Sequence, residues 1–196
     1  MNPSQTEAYT DRLVRLQQSP WKRLLDVQAP YRWHLRRLHM GRMLDIGCGI
    51  GRNLAHLEGG VGLDPNASAV EIARSRGLTA YTPEAFRASP DCRLASYDSL
   101  LVSHVAEHIG MDETISLIAL YLDLLKPDGQ VVVITPQEAG YRSDPTHIAF
   151  MDFASLLSIN AALGLIGCRT YSFPFPRFAG KVFRYNEFVS VARKPA

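Results

Sequence analysis

Apolar and polar positions change rhythm several times along this chain. Residues 42–46 form a short apolar run, the pattern of a buried strand. A glycine loop follows, Gly47-Cys48-Gly49-Ile50-Gly51, and residues 52–57 then take a helical pattern that Gly59-Gly60 stops. Residues 61–63 read as a second strand, closed by Asp64-Pro65, and residues 67–75 as a helix with Gly77 past its end. A third strand is expected at 78–81 and a fourth at 99–102, with a helical segment over 104–109. Residues 113–125 are strongly amphipathic with helical period and end at Lys126-Pro127-Asp128-Gly129. Residues 130–135 are the most β-branched run in the chain and predict a fifth strand. Strands alternating with helices predict an α/β fold, a mostly parallel sheet with right-handed crossovers.

The two ends have a different texture. Residues 4–18, 21–27 and 31–40 read as helical pieces separated by Pro20 and Pro30. Tyr9 to Trp33 carries aromatic and arginine side chains with weak helical regularity, which predicts a lid across a ligand site. Beyond Thr135 a long loop, 136–152, leads to a helix at 153–163 and two late strands at 168–173 and 183–192. The late strands are joined by Phe173-Pro174-Phe175-Pro176-Arg177-Phe178.

Composition narrows the class. The chain has 196 residues, 46% hydrophobic and 20% charged, which suits one globular domain. Cys48, Cys92 and Cys168 form no C-x-x-C pair and are oddly numbered, so reduced thiols are expected rather than a disulfide framework. The N-terminal residues hold no apolar signal core, and the longest apolar stretch, 153–168, is broken by Ser155, Ser158 and Asn160. A cytoplasmic location is the expectation. The net charge of +2 is unevenly spread, with basic ends around an acidic centre. Those ends read as solvated surface, with weak contact to an anionic surface as the sharper reading. The chain is not strongly basic and has no appended RNA module, which argues against nucleic acid.

The glycine loop lies between a predicted strand and a predicted helix, where positive φ and close backbone approach to a ligand are needed. Asp64, at the end of the next strand, can accept hydrogen bonds from ribose hydroxyls. The spacing is G-x-G-x-G rather than G-x-G-x-x-G, no GK[ST] follows, and Asp45 precedes the first glycine. That combination favours a nucleoside with positively charged parts over a dinucleotide or a nucleoside triphosphate. The D-x-G-x-G-x-G loop is joined by Gly62-Leu63-Asp64-Pro65-Asn66, by Tyr97-Asp98-Ser99-Leu100-Leu101-Val102-Ser103-His104-Val105-Ala106-Glu107-His108 and by Leu125-Lys126-Pro127-Asp128-Gly129. As a set, these resemble class I S-adenosylmethionine-dependent methyltransferases of the small single-domain, small-molecule type, over residues 42 to 192.

The resemblance implies a Rossmann-like three-layer sandwich whose seven-stranded, mostly parallel sheet has its last strand antiparallel. It implies S-adenosylmethionine as cofactor, with Asp45, Gly47, Cys48 and Gly49 at the methionine end and Asp64 with Pro65 at the ribose. Thr82, Glu84 and Phe86 would flank the adenine, and Ser103 and His104 would face the cofactor near the methyl. The chain then divides into a helical lid (1–41), a cofactor-binding half (42–135) and an acceptor-side half (136–196) of one domain.

The loop after the fifth strand contains Asp144-Pro145-Thr146-His147 and resembles a D-x-x-H segment of relatives acting on sugars and other small molecules. His147 is the candidate base, Asp144 its orienting partner, and His104 a further catalytic candidate. Glu107-His108 reads as architectural, and no spacing indicates a metal site. The expected activity is O-methylation of a small molecule, glycan or lipid-linked sugar. N- or C-methylation of a metabolite, or cofactor binding without turnover, are the alternatives.

Overall fold

The structure, a computed structural model, describes residues 29–196. The helices expected at 4–18 and 21–27, and most of the expected lid, lie outside the described residues. The first described element is α1 (Ala29–Arg37), followed by β1 (Met43–Ile46), β2 (Val61–Leu63), α2 (Ala67–Ser75), β3 (Ala80–Tyr81) and α3 (Pro83–Arg87). The second half holds β4 (Tyr97–Ser103), α4 (Ala106–Ile109), α5 (Met111–Ala119), β5 (Leu125–Pro136), α6 (Glu138–Tyr141), α7 (Phe153–Ala162), β6 (Ile166–Phe173) and β7 (Glu187–Arg193). The strands form a seven-stranded sheet in the order β3-β2-β1-β4-β5-β7-β6. β7 runs antiparallel to both β5 and β6, as the family resemblance implies for the last strand.

Two compact units divide the chain, one up to Cys92 and one from Arg93. In the first, β1, β2 and β3 pair in parallel, and every residue of β1 and β2 is buried. Asn66 caps α2 by accepting from the Ala69 amide at 3.2 Å, and Thr82 caps α3 by accepting from the Ala85 amide at 3.3 Å. In the second unit, β4 and β5 pair in parallel over a core that includes Leu100, Leu101, Val131 and Val132. Asp152 caps α7 through the Ser155 amide at 3.0 Å.

The late strand expected from 183 begins at Glu187, the loop expected over 136–152 contains α6, and three elements depart further from expectation. The helix expected at 52–57 is a single 3-10 turn, Leu54–His56; Asn53 before it makes no side-chain cap, and Gly59-Gly60 end the segment. The long helix expected over 113–125 stops at Ala119, and Leu122–Leu124 form a separate 3-10 turn. The Lys126–Gly129 turn lies inside β5 instead, as a bulge. Tyr97 faces Leu125 and Ser99 faces Gln130, so the register slips there, and Asp128 sits at φ +58°. No helix among the described residues is long and apolar enough to cross a membrane.

Candidate functional site

In the first unit the chain turns back on itself at the end of β1. Gly47, Gly49 and Gly51 adopt φ of +80°, +53° and +82°, a region that L side chains resist. Gly47 and Cys48 both donate their amides to the Leu63 carbonyl, at 2.8 and 2.9 Å, which ties the loop to the end of β2. Asp64 follows Leu63 directly. One of its carboxylate oxygens accepts from the Gly49 amide at 2.8 Å and the other from the Asn66 amide at 2.9 Å. Each oxygen keeps a lone pair, so Asp64 both shapes the loop and retains acceptor capacity. Burial raises its pKa, and the two amides pull it back.

Asp45 lies behind the loop and is fully buried, and neither carboxylate oxygen has a hydrogen-bond partner. Burial raises its pKa to about 7; the Asn53 side chain and Arg52 lower it, and Asp64 adds a smaller upward push. Asn53 and Arg52 offset only part of the cost of burying this acid, which leaves a need for further positive charge. The ammonium and sulfonium of S-adenosylmethionine meet that need, so the loop and its two acids fit the cofactor. Cys48 is a buried thiol whose pKa is pushed well up by burial and by Asp45 and Asp64, which makes it loop packing rather than a nucleophile.

The segment expected at the adenine is more mixed. Phe86 is buried, with its ring 6.1 Å from that of Tyr81, so it belongs to the core. Thr82 is engaged as a helix cap, while Glu84 and Pro65 are exposed. Sequence reading missed Asp91, which accepts from the Tyr81 hydroxyl at 2.9 Å and from Arg42 at 2.7 Å, bracing the end of β3.

In the second unit the chemistry gathers around Glu107. Ser103 ends β4, and His104 follows in the left-handed region at φ +58°. Its Nδ1 lies 3.2 Å from Glu107 Oε1 and its Nε2 2.9 Å from Glu187 Oε1. Burial works to lower the His104 pKa, but hydrogen bonds to the two carboxylates win and raise it to about 9. His104 is therefore an imidazolium at neutral pH and acts as a donor, not as a free base.

His147 reaches the same cluster from the loop after β5. Its Nδ1 donates to the Tyr141 carbonyl at 2.8 Å, and its Nε2 lies 3.9 Å from Glu107 Oε1. The Asp144 partnership expected from sequence takes another form. Asp144 Oδ1 accepts from the Thr146 amide at 3.0 Å and hydroxyl at 2.7 Å, forming a turn, and the Tyr141 carbonyl orients the His147 ring. His108 stands against His147, ring centroids 4.7 Å apart, with its Nδ1 3.2 Å from the Thr146 carbonyl. The Glu107 carbonyl accepts from the Ile148 and Ala149 amides at 2.9 and 3.1 Å, which docks this loop on α4.

Glu107-His108 thus holds the loop, and both side chains cluster with His147. Glu187 carried no sequence signal, since only strand pairing brings it to His104. The adjoining polar knot was equally hidden. Gln137 donates to Ser172 Oγ and to the Glu187 carbonyl, Asn186 donates to Gln137 Oε1, and Arg177 pairs with Glu138.

A sheet of this order, with glycines in the turn after β1 and an acid ending β2, defines a Rossmann-like α/β protein built around a nucleoside. Residues 12–166 match the family model described as a methyltransferase domain, and the chain belongs to that family. Solved structures agree on the fold. An S-adenosylmethionine-dependent methyltransferase from Archaeoglobus fulgidus is 19% identical with a TM-score of 0.66, over 84% of this chain and 93% of that one. One from Thermotoga maritima is 18% identical with a TM-score of 0.64, over 90% and 94%. Phosphoethanolamine N-methyltransferase 2 of Haemonchus contortus, in complex with S-adenosylmethionine, is 19% identical with a TM-score of 0.60, over 80% of this chain and 49% of that one. No curated protein matches the chain. The chain thus carries a methyltransferase domain and has the fold of solved S-adenosylmethionine-dependent methyltransferases.

Proposed function

We propose that the chain methylates a hydroxyl group of a small molecule, glycan or lipid-linked sugar, in the cytoplasm. Bound S-adenosylmethionine supplies an electrophilic methyl group. Asp64 receives the ribose hydroxyls, and Asp45 stabilises the positive methionine end from behind the glycine loop. The observation that carries the hydroxyl reading is the buried carboxylate of Glu107, whose Oε2 has no partner. A hydroxyl acceptor must lose a proton as it is methylated, whereas an amine can attack through its free lone pair. A carboxylate with spare acceptor capacity, beside a histidine whose tautomer is set by a carbonyl, is what a hydroxyl requires. His147 and Glu107 together form this proton acceptor, and His104 donates hydrogen bonds beside it. Asp144 contributes through the turn that presents His147.

The test offers the purified protein S-adenosylmethionine with matched hydroxyl and amine acceptors, including sugars, and reads release of S-adenosylhomocysteine and the mass of the product. Methylation confined to oxygen is expected. A product methylated on nitrogen or carbon, or cofactor binding with no turnover on cell extract, overturns the reading.

A further inference from the structure

Glu107, His108 and His147 each place one ligand atom within 4.8 Å of the others. Histidine, histidine and carboxylate are a donor set of neutral nitrogen and anionic oxygen that suits first-row transition metals better than magnesium or calcium. Three further observations concern these same residues. Glu107 is fully buried, and its Oε2 has no hydrogen-bond partner, so a charged oxygen inside the protein is unsatisfied. The Nδ1 of each histidine is turned to a main-chain carbonyl, Thr146 for His108 and Tyr141 for His147. A carbonyl only accepts, so each Nδ1 carries a proton, and the neutral form of each ring offers Nε2 as its lone-pair atom, the one that a metal would take. Finally, the His147 Nε2 lies 3.9 Å from Glu107 Oε1, beyond hydrogen-bond distance.

We infer that Glu107, His108 and His147 form a binding site for one divalent first-row transition-metal ion. In a tetrahedral site with ligand bonds of about 2.0–2.2 Å, ligand atoms stand roughly 3.3 Å apart, so side-chain movements of about an ångström complete the site. The backbone around it is already set. Amides of Ile148 and Ala149 bond the Glu107 carbonyl, and the Asp144–Thr146 turn fixes the segment that carries His147. Three protein ligands leave coordination positions open, as in sites that hold an exchangeable oxygen ligand. The inference goes beyond the acceptor reading and stands on the cluster alone. Metal binding is measured without turnover, so it survives even if no hydroxyl is methylated.

The experiment uses the full chain without a histidine tag, dialysed against a chelator and titrated calorimetrically with Mn²⁺, Co²⁺ or Zn²⁺. One ion per chain is expected, with micromolar or tighter affinity for at least one of the three. The cobalt form should show a visible absorption band of a nitrogen-ligated, low-coordinate ion. His147→Ala and Glu107→Gln should each weaken binding by about 10-fold or more and remove the band. The thermal shift given by S-adenosylhomocysteine checks that each variant is folded, and His108→Ala replaces any variant that is not. Binding only at millimolar metal, or unchanged affinity and stoichiometry in the folded variants, overturns the inference.

Discussion

Because Asp45 titrates near neutrality, cofactor binding should be linked to proton release. Its pKa of about 7 in the free protein means that at pH 6 about nine molecules in ten hold it protonated. A positive charge about 5–6 Å away, at an effective dielectric of about 20, stabilises the carboxylate by about 3 kcal/mol. That is about two pKa units, which brings the bound form to about pH 5. Binding of S-adenosylhomocysteine, whose ammonium is the cation, should then release about 0.8 proton at pH 6, and its Kd should fall about 10-fold between pH 6 and pH 8. The free protein should show the opposite trend. A carboxyl whose folded pKa is raised above 3.8 contributes stability at low pH that is lost as pH climbs from about 4 to about 7. Calorimetry in buffers of different ionisation enthalpy counts the protons, and Asp45→Asn should abolish both trends. A Kd that is flat across this range, with no buffer dependence, would refute the idea that Asp45 senses the cationic end of the ligand.

Other outcomes are equally direct. Asp64→Ala should weaken S-adenosylhomocysteine by about 1.5–3 kcal/mol, seen as a smaller thermal shift, because a charged acceptor for the ribose is lost. His147→Ala should lower turnover by roughly 10²-fold, while the S-adenosylhomocysteine Kd stays within about twofold; near wild-type turnover removes His147 from the mechanism. Gly180→Ala should destabilise the fold by about 1–3 kcal/mol in urea unfolding. Its Cβ would sit 1.8 Å from Gln137 Oε1, and Gln137 is buried and bonded to Asn186, so it cannot yield.

The sequence was most informative where chemistry and backbone are local. The glycine loop, Asp64 and the strand at 61–63 are read from consecutive residues, because positive φ and a buried apolar run leave marks on neighbouring positions. The helix at 67–75 was equally plain, since Asn66 caps it and Gly77 follows it. The segment after the glycine loop misled, because a helical period over six residues does not show whether a cap is made. Lys126-Pro127-Asp128-Gly129 looks like a turn locally, and only pairing with β4 draws it into a bulged strand. The cluster around Glu107 is the part sequence could not assemble. His104 and Glu107 are near neighbours, but Glu187 arrives from 83 positions away along a late strand. The expected Asp144–His147 partnership rested on spacing, and the Tyr141 carbonyl, which no side-chain pattern encodes, holds the ring instead.

The reversed direction of β7 changes which part of that strand meets the chemistry. Strands β4 and β5 deliver their last residues to the edge where His104 sits, but β7 enters the sheet there and delivers its first, Glu187, opposite Pro136 of β5 and Phe173 of β6. The connection over residues 174–186 therefore acts as a spacer that sets a carboxylate against His104. The seven residue pairs that β7 makes with β5 fix its register, so Glu187 stays at this edge of the sheet. Glu187 is thus placed by strand direction: the same glutamate at the start of a parallel last strand would stand at the opposite edge of the sheet, away from His104.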